Sequence, residues 1–191
     1  MTPKRLCVNG SQTQFNLGAM YAEGRGVPQD YKTAVKWWNP AAEQGFVRSQ
    51  ISLGIMYYHG TGVSQDFKTA VKWVRLAAEQ GDAMAEYYLG VMYHKGKGVP
   101  QDFKTAVKWW NLAAGQGYAD ALNSLGVMYW NGWGVPQNYI RAHMWWNLAA
   151  SSGHKDGVSA RDVISERMTP ADISKAQELA RECVRKKYKG C

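Results

Sequence analysis

The stretch of sequence that decides the fold runs from Ala85 to Gly117 and reads AEYYLGVMYHKGKGVPQDFKTAVKWWNLAAGQG. Its first part places Ala85, Leu89, Met92 and Tyr93 at the spacing of one face of an α-helix. A Gly-x-Gly turn ends this helix, and a second run with Ala, Trp and Ala at helical spacing follows. The stretch therefore predicts two antiparallel helices joined by a glycine-rich turn.

Local signals agree with this helix pair. Asp102 is a suitable N-cap for the second helix, because its carboxylate can accept a backbone N–H from the first turn. Pro100 stands just before it, where no helical N–H is needed. Gly90 costs about 1 kcal/mol of helix propensity relative to Ala. We expect this glycine to let the partner helix approach closely.

The same landmarks recur every 36 residues, which indicates a repeat architecture. Leu-Gly pairs occur at 17–18, 53–54, 89–90 and 125–126, and Gly-x-Gly-Val turns occur at 24–27, 60–63, 96–99 and 132–135. A tryptophan station follows each turn, at 37–38, 73–74, 109–110 and 145–146. The sequence thus predicts four helix pairs, at about 10–45, 46–81, 82–117 and 118–153. We expect the seven tryptophans of this station to be packed in the core or between repeats.

These landmarks resemble the Sel-one-like repeat (SLR), a bacterial relative of the tetratricopeptide repeat. The matching pattern is A-x-x-x-L-G-x-x-Y-x-x-G-x-G-V-x-x-D-x-x-x-A-x-x-W-W-x-x-A-A-x-x-G, with small departures such as Val74 for Trp and Asn138 for Asp. The resemblance implies an all-α fold, a right-handed α/α solenoid. It also implies a scaffold for protein complexes, which in exported bacterial members is often linked to host contact or signalling.

The chain after Gly153 leaves the repeat phase, because Arg161 and Asp162 stand where Leu-Gly would recur. Thr169 and Pro170 give a new N-cap with proline at the first helical position. We expect residues 154–191 to form a C-terminal pair of capping helices, as a terminal repeat requires.

The three cysteines are compatible with two different cellular compartments. Cys183 and Cys191 can form a disulfide, because Gly190 lets the chain fold back onto the last helix. Such a bond would imply an oxidising compartment, and the alternative is two free thiols in a cytoplasmic protein. Cys7 is left over in either case. The first residues do not read as a signal peptide, so a periplasmic or secreted location requires that a signal preceded them.

Information about a partner is expected where the repeats differ, on the concave face lined by the first helices. The predicted partner-binding residues are Arg48, Ile51, Tyr58, His59, Tyr87, His94, Lys95, Asn123, Trp130 and Trp133. Exposed Tyr, Trp and His are typical of interaction hot spots. We predict a protein or peptide ligand, a monomeric receptor, no cofactor and no membrane span.

Two features of the sequence suggest other functions. The net charge of +8 favours a basic scaffold for nucleic acid, but much of the excess lies in lysines repeated on the outer side of the second helices. The SLR resemblance raises β-lactam binding or hydrolysis, for which Ser152-x-x-Lys155 is the one short motif. Its companion motifs are absent from the sequence, and the four histidines show no metal-ligand spacing. The sequence therefore favours a protein that is not an enzyme.

Overall fold

The structure is a computed structural model that describes residues 10–188 and 190–191, and within them it contains ten α-helices and no strand. The helices are α1 (Ser11–Glu23), α2 (Tyr31–Glu43), α3 (Val47–His59), α4 (Phe67–Ala78), α5 (Ala83–Lys95), α6 (Phe103–Ala114), α7 (Ala119–Asn131), α8 (Tyr139–Ser151), α9 (Lys155–Ser165) and α10 (Pro170–Arg185). The first eight form the four predicted pairs. The all-α class and the tandem helix-turn-helix repeats are therefore confirmed.

The chain divides into two compact units. The first comprises the described part of Met1–Ala85 together with Lys97–Val99, and the second comprises Glu86–Gly96 and the described part of Pro100–Cys191. Each unit has an apolar core of its own. The first core contains Trp38, Leu53 and Trp73. The larger core of the second unit contains Trp110, Leu122, Leu125, Met128, Trp145 and Leu148.

The second helix of each pair begins at a side-chain cap, as predicted. The Asp30 carboxylate accepts the backbone N–H groups of Lys32 and Thr33 at 2.9 and 3.2 Å. Asp66, Asp102 and Asn138 cap the corresponding later helices. The hydroxyl of Thr33 also donates to Asp30, and these hydrogen bonds lower the pKa of the Asp30 carboxyl because they favour its charged form.

The two helices of each pair approach most closely at the glycine of the Leu-Gly landmark. A Cβ atom at Gly90 would lie 2.5 Å from Nε1 of Trp110, and one at Gly54 would lie 2.4 Å from Cγ2 of Val74. The Trp110 indole donates from Nε1 to the carbonyl of Tyr87 at 3.1 Å. The bare Cα therefore fits directly against the side chain of the second helix, as the sequence predicts.

The tryptophan station is only partly buried. Its buried members are Trp38, Trp73, Trp110, Trp145 and Trp146. Trp37 does not lie in the core, because its side chain is 38% exposed, and Trp109 is half-buried. Adjacent residues of a helix point about 100° apart, so only one member of a pair can face the partner helix. The pairs 73–74 and 145–146 are exceptions, because Trp73 lies in the first core and Trp145 shares a core with Ala180 of α10.

The C-terminal segment covers the fourth helix pair. Helices α9 and α10 both contact α8, and α10 begins as predicted, with Thr169 as N-cap and Pro170 at the first position. The predicted disulfide joins Cys183 to Cys191. The guanidinium of Arg141 on α8 donates to the carbonyl oxygen of Cys191 at 2.9 Å. Cys7 lies outside the described residues.

His143 is the one histidine of the described residues that is buried in the core. Its Nε2 atom lies 3.1 Å from the hydroxyl oxygen of Ser165, which itself donates to the carbonyl of Arg161. Nε2 must therefore donate to Ser165, and Nδ1 has no partner within the described part of the chain. Burial lowers the pKa of His143, and Arg161 lowers it further while Asp162 opposes this effect.

We therefore expect the free energy of unfolding to decrease as the pH is lowered through the ordinary pKa of histidine. The unfolded chain takes up a proton on His143 near this pKa of about 6.5, whereas the folded chain takes it up only at a lower pH. His143→Gln keeps a donor for Ser165 and removes the titration, so chemical denaturation should show a weaker pH dependence for this variant. Identical slopes for the two proteins would contradict the assignment. His94, whose pKa is also lowered by burial, is unchanged in both and does not affect the comparison.

Candidate functional site

The second unit has a cavity between two first helices, which we name the α5–α7 cavity. It has a volume of about 200 Å³. Its lining comprises Tyr87, Val91, His94 and Lys95 of α5, Trp110 of α6, and Ser124, Val127 and Met128 of α7. The structure therefore brings together three of the predicted partner-binding residues, namely Tyr87, His94 and Lys95.

The His94 ring lies among three aromatic rings of the second unit. Its centroid is 5.4 Å from that of Phe103, 5.5 Å from Trp110 and 5.7 Å from Trp133. Burial in this cluster lowers the pKa of His94, and the neighbouring ammonium of Lys95 lowers it further. His94 is therefore neutral at pH 7, and it forms an apolar wall that still carries ring nitrogens.

The walls of the cavity are fixed by the core behind them. Trp110 is 4% exposed, and its indole N–H donates a hydrogen bond to the Tyr87 carbonyl. The rings of Tyr87 and Tyr118 lie 5.3 Å apart, and both side chains pack against the core of the second unit. Burial is also the main reason why the pKa of Tyr118 rises to about 12. The cavity is thus formed by ordered side chains before any partner arrives.

The two predicted tryptophans do not line the cavity, although Trp133 contacts His94. Trp133 is 39% exposed and stacks on Phe103 with ring centroids 5.5 Å apart. Trp130 is half-buried between Tyr139 and Trp146, with the Arg167 guanidinium over its ring. Much of Trp130 is therefore engaged within the molecule.

The remaining predicted residue of the second unit, Asn123, is half-buried on α7 and does not line the cavity.

The predicted residues of the first unit lie in separate places. Arg48 borders an open cleft of about 570 Å³ that also includes Gln12, Phe46 and Asp82. Ile51 is only 7% exposed, so it offers little surface to a partner.

Tyr58 and His59 form a small aromatic patch on α3. Tyr58 makes edge contacts with His59 and Phe67, at centroid distances of 5.1 and 5.3 Å. His59 itself is exposed.

Five lining residues are not among the predicted partner-binding residues, namely Val91, Trp110, Ser124, Val127 and Met128. Ser124 stands just before Leu125 of the Leu-Gly landmark, at a position where the four repeats carry Asn16, Ser52, Tyr88 and Ser124. That variation was a signal that could have identified it. Trp110 was assigned to the core alone, whereas its edge also lines the cavity.

The short Ser152-x-x-Lys155 motif runs from Ser152, the C-cap of α8, through His154, the N-cap of α9, to the first residue of α9. The Ser152 hydroxyl donates to the carbonyl of Leu148, and Nδ1 of His154 accepts the backbone N–H of Gly157. Within the described residues, no group of three or more His, Cys, Asp or Glu could hold a metal ion. None of the helices in this part of the chain is long and apolar enough to cross a bilayer.

Comparison with known families identifies the repeat. The Sel1 repeat matches residues 11–46, 47–82, 83–118 and 119–154, which is well over half of the chain. The chain therefore belongs to the Sel1 repeat family. Proteins with this repeat commonly serve as scaffolds for protein–protein interactions. No curated protein sequence matches the chain.

Solved structures with the same fold include a Sel1 repeat protein from Oxalobacter formigenes, with 32% identity and a TM-score of 0.71. The match covers 91% of this chain and 64% of that one. A protective antigen of uropathogenic Escherichia coli with an SLR fold, c5321, is 25% identical with a TM-score of 0.63, and the match covers 94% of this chain and 47% of that one. The chain thus spans less than two thirds of either relative.

The cysteine-rich protein B of Helicobacter pylori shares the fold at 23% identity and a TM-score of 0.54. That match covers 69% of this chain and 94% of the other.

Proposed function

We propose that this chain is a non-catalytic scaffold that binds a partner protein or peptide at the α5–α7 cavity. The observation that carries the proposal is the meeting of Tyr87, His94 and Lys95 around one cavity. These positions differ from repeat to repeat, whereas the landmarks that build the fold stay the same. Residues that the fold does not require can vary, and they can therefore determine which partner binds.

The rigidity of the cavity supports binding. Its aromatic walls are fixed by the Trp110 hydrogen bond and by the core of the second unit. A partner segment can therefore become ordered without rearrangement of the receptor, which reduces the free-energy cost of association. Because the receptor uses side chains of a single chain, we propose that a monomer is the active form.

The chemistry of the lining supports a role other than catalysis. The lining contains one imidazole and one aliphatic hydroxyl but no carboxylate. General acid–base and nucleophilic catalysis need paired groups within hydrogen-bond reach, usually with a third group that orients the base. The lining residues provide a shaped apolar surface with donors at its edge, which is typical of a recognition site.

We propose that this protein acts in an oxidising compartment. Disulfides form and persist in exported proteins, and the Cys183–Cys191 bond supports this location. The E. coli relative is a protective antigen, which supports a role in contact between a bacterium and its host.

The proposal is tested by affinity capture with two double variants. His94→Ala/Lys95→Ala should lower recovery of the specific partner about tenfold or more, because truncated hot-spot side chains commonly cost more than 1 kcal/mol each. Lys104→Ala/Lys108→Ala, which changes two exposed lysines of α6, is the matched control and should leave recovery unchanged. Quantitative mass spectrometry measures recovery, and circular dichroism checks folding. Equal recovery by both folded variants would contradict the proposal.

A further inference from the structure

The size of the α5–α7 cavity limits what it can hold. At about 200 Å³ it is smaller than the roughly 300–1,000 Å³ of sites for drug-sized ligands and cofactors. Val91, Val127, Met128 and the Trp110 edge give it an apolar interior. These dimensions fit one large apolar side chain of a bound segment.

The polar groups at the cavity are hydrogen-bond donors or can act as donors. Lys95 is exposed and has no ion pair within the described residues, and neither ring nitrogen of His94 has a hydrogen-bond partner there. Ser124 adds a hydroxyl, and the lining contains no Asp or Glu. An unpaired ammonium without a neighbouring carboxylate favours an anionic group on the ligand.

The same positions two repeats earlier show that the fold does not require this cation. Glu23 stands at the place that corresponds to Lys95, and Ala22 corresponds to His94. Glu23 is paired with Arg25 within the first unit. The repeat therefore tolerates either sign of charge here, and the combination of imidazole and ammonium is particular to the third repeat.

We propose that the α5–α7 cavity recognises a large apolar side chain that is followed by a carboxylate in the partner segment. The apolar side chain fills the space between Val91 and Val127, and the carboxylate pairs with Lys95 at the rim. This inference rests on the proposed function and adds the chemistry by which the partner is selected.

The test uses N-acetyl-Leu-Asp-amide as the probe and two-dimensional NMR of the ¹⁵N-labelled protein as the measurement. We expect shifts of the backbone amides of residues 91–95 and 124–128, with saturation at millimolar concentration. Two matched probes separate the contributions. N-acetyl-Leu-Asn-amide removes the charge, and N-acetyl-Gly-Asp-amide removes the apolar side chain. The affinity of each should be at least about fivefold lower than that of the Leu-Asp probe.

Lys95→Glu should weaken binding of the Leu-Asp probe about tenfold, because an attraction is replaced by repulsion. Lys104→Glu makes the same change of charge at an exposed site on α6 and should leave binding unchanged. Equal binding of the Asp and Asn probes, or an unchanged affinity in Lys95→Glu, would overturn the proposal. So would the absence of any shift at about 20 mM probe.

The two proposals fail separately. If the probes do not bind but His94→Ala/Lys95→Ala loses the captured partner, the scaffold function stands and the recognition chemistry is wrong. If the Leu-Asp probe binds as expected but partner recovery is unaffected, the cavity chemistry stands and the scaffold binds its partner elsewhere.

Discussion

Replacing Gly90 with alanine is expected to destabilise the protein by about 2–3 kcal/mol, although alanine is the better helix former by about 1 kcal/mol. The added Cβ would lie 2.5 Å from Nε1 and 2.6 Å from Cδ1 of Trp110. The indole is buried and cannot swing away without losing its hydrogen bond to the Tyr87 carbonyl. Overpacking and an unpaired buried donor therefore outweigh the gain in helix propensity.

The control for Gly90→Ala is Gly115→Ala in the same unit. Gly115 ends α6 with a φ of −61°, which any residue adopts, and Glu79 occupies the corresponding position after α4. This substitution should leave stability unchanged or raise it by about 0.5 kcal/mol through the unfolded state. The denaturant midpoints of the two variants and the wild type measure both effects, provided that the m-values are unchanged. A Gly90→Ala protein as stable as the wild type would show that the close approach of α5 and α6 is not required.

Replacing Gly134 with alanine is expected to cost about 3 kcal/mol for two reasons. Its φ of +71° costs alanine about 1–2 kcal/mol, and its Cβ would lie 2.6 Å from the backbone carbon and oxygen of Phe103. Backbone atoms at the start of α6 cannot rotate aside as a side chain can. The turn of the fourth repeat would therefore have to separate from the third, with a further loss of packing.

Gly26 provides the matched control, because it occupies the same station in the first repeat. Its φ is +74°, but a Cβ atom there would meet nothing within 4 Å. Gly26→Ala should therefore lower the free energy of unfolding only by the backbone cost of about 1–2 kcal/mol. Thermal and denaturant unfolding of the two variants separate strain from collision. Equal losses would mean that the contact between turn and helix contributes nothing.

The fold could be predicted because its determinants are local and repeated. An Asp or Asn before each second helix, a glycine at each close approach and a glycine after each first helix act over a few residues, so each recurrence is visible in the sequence. The exposure of Trp37 was not predicted, because burial depends on what covers the outer side of a helix. In the fourth repeat, α10 provides that cover for Trp145.

The candidate site could be predicted only in part. The contrast between repeats identified Tyr87, His94 and Lys95, but not Ser124 across the cavity, since their meeting depends on the spacing of α5 and α7. Trp130 was predicted to face a partner, yet Arg167 from the segment after the repeats lies over its ring. Periodicity contains no information about contacts made by a segment outside the repeat.

Hydrogen–deuterium exchange of the chain with and without its captured partner tests the central claim most directly. If the α5–α7 cavity is the binding site, the partner should slow exchange in residues 91–95 and 124–128, because ligand binding suppresses local opening at the contacted elements. Residues 104–108 of α6, which do not line the cavity, should exchange at the same rate in both states. Slower exchange confined to residues 104–108, with the cavity helices unaffected, would contradict the account.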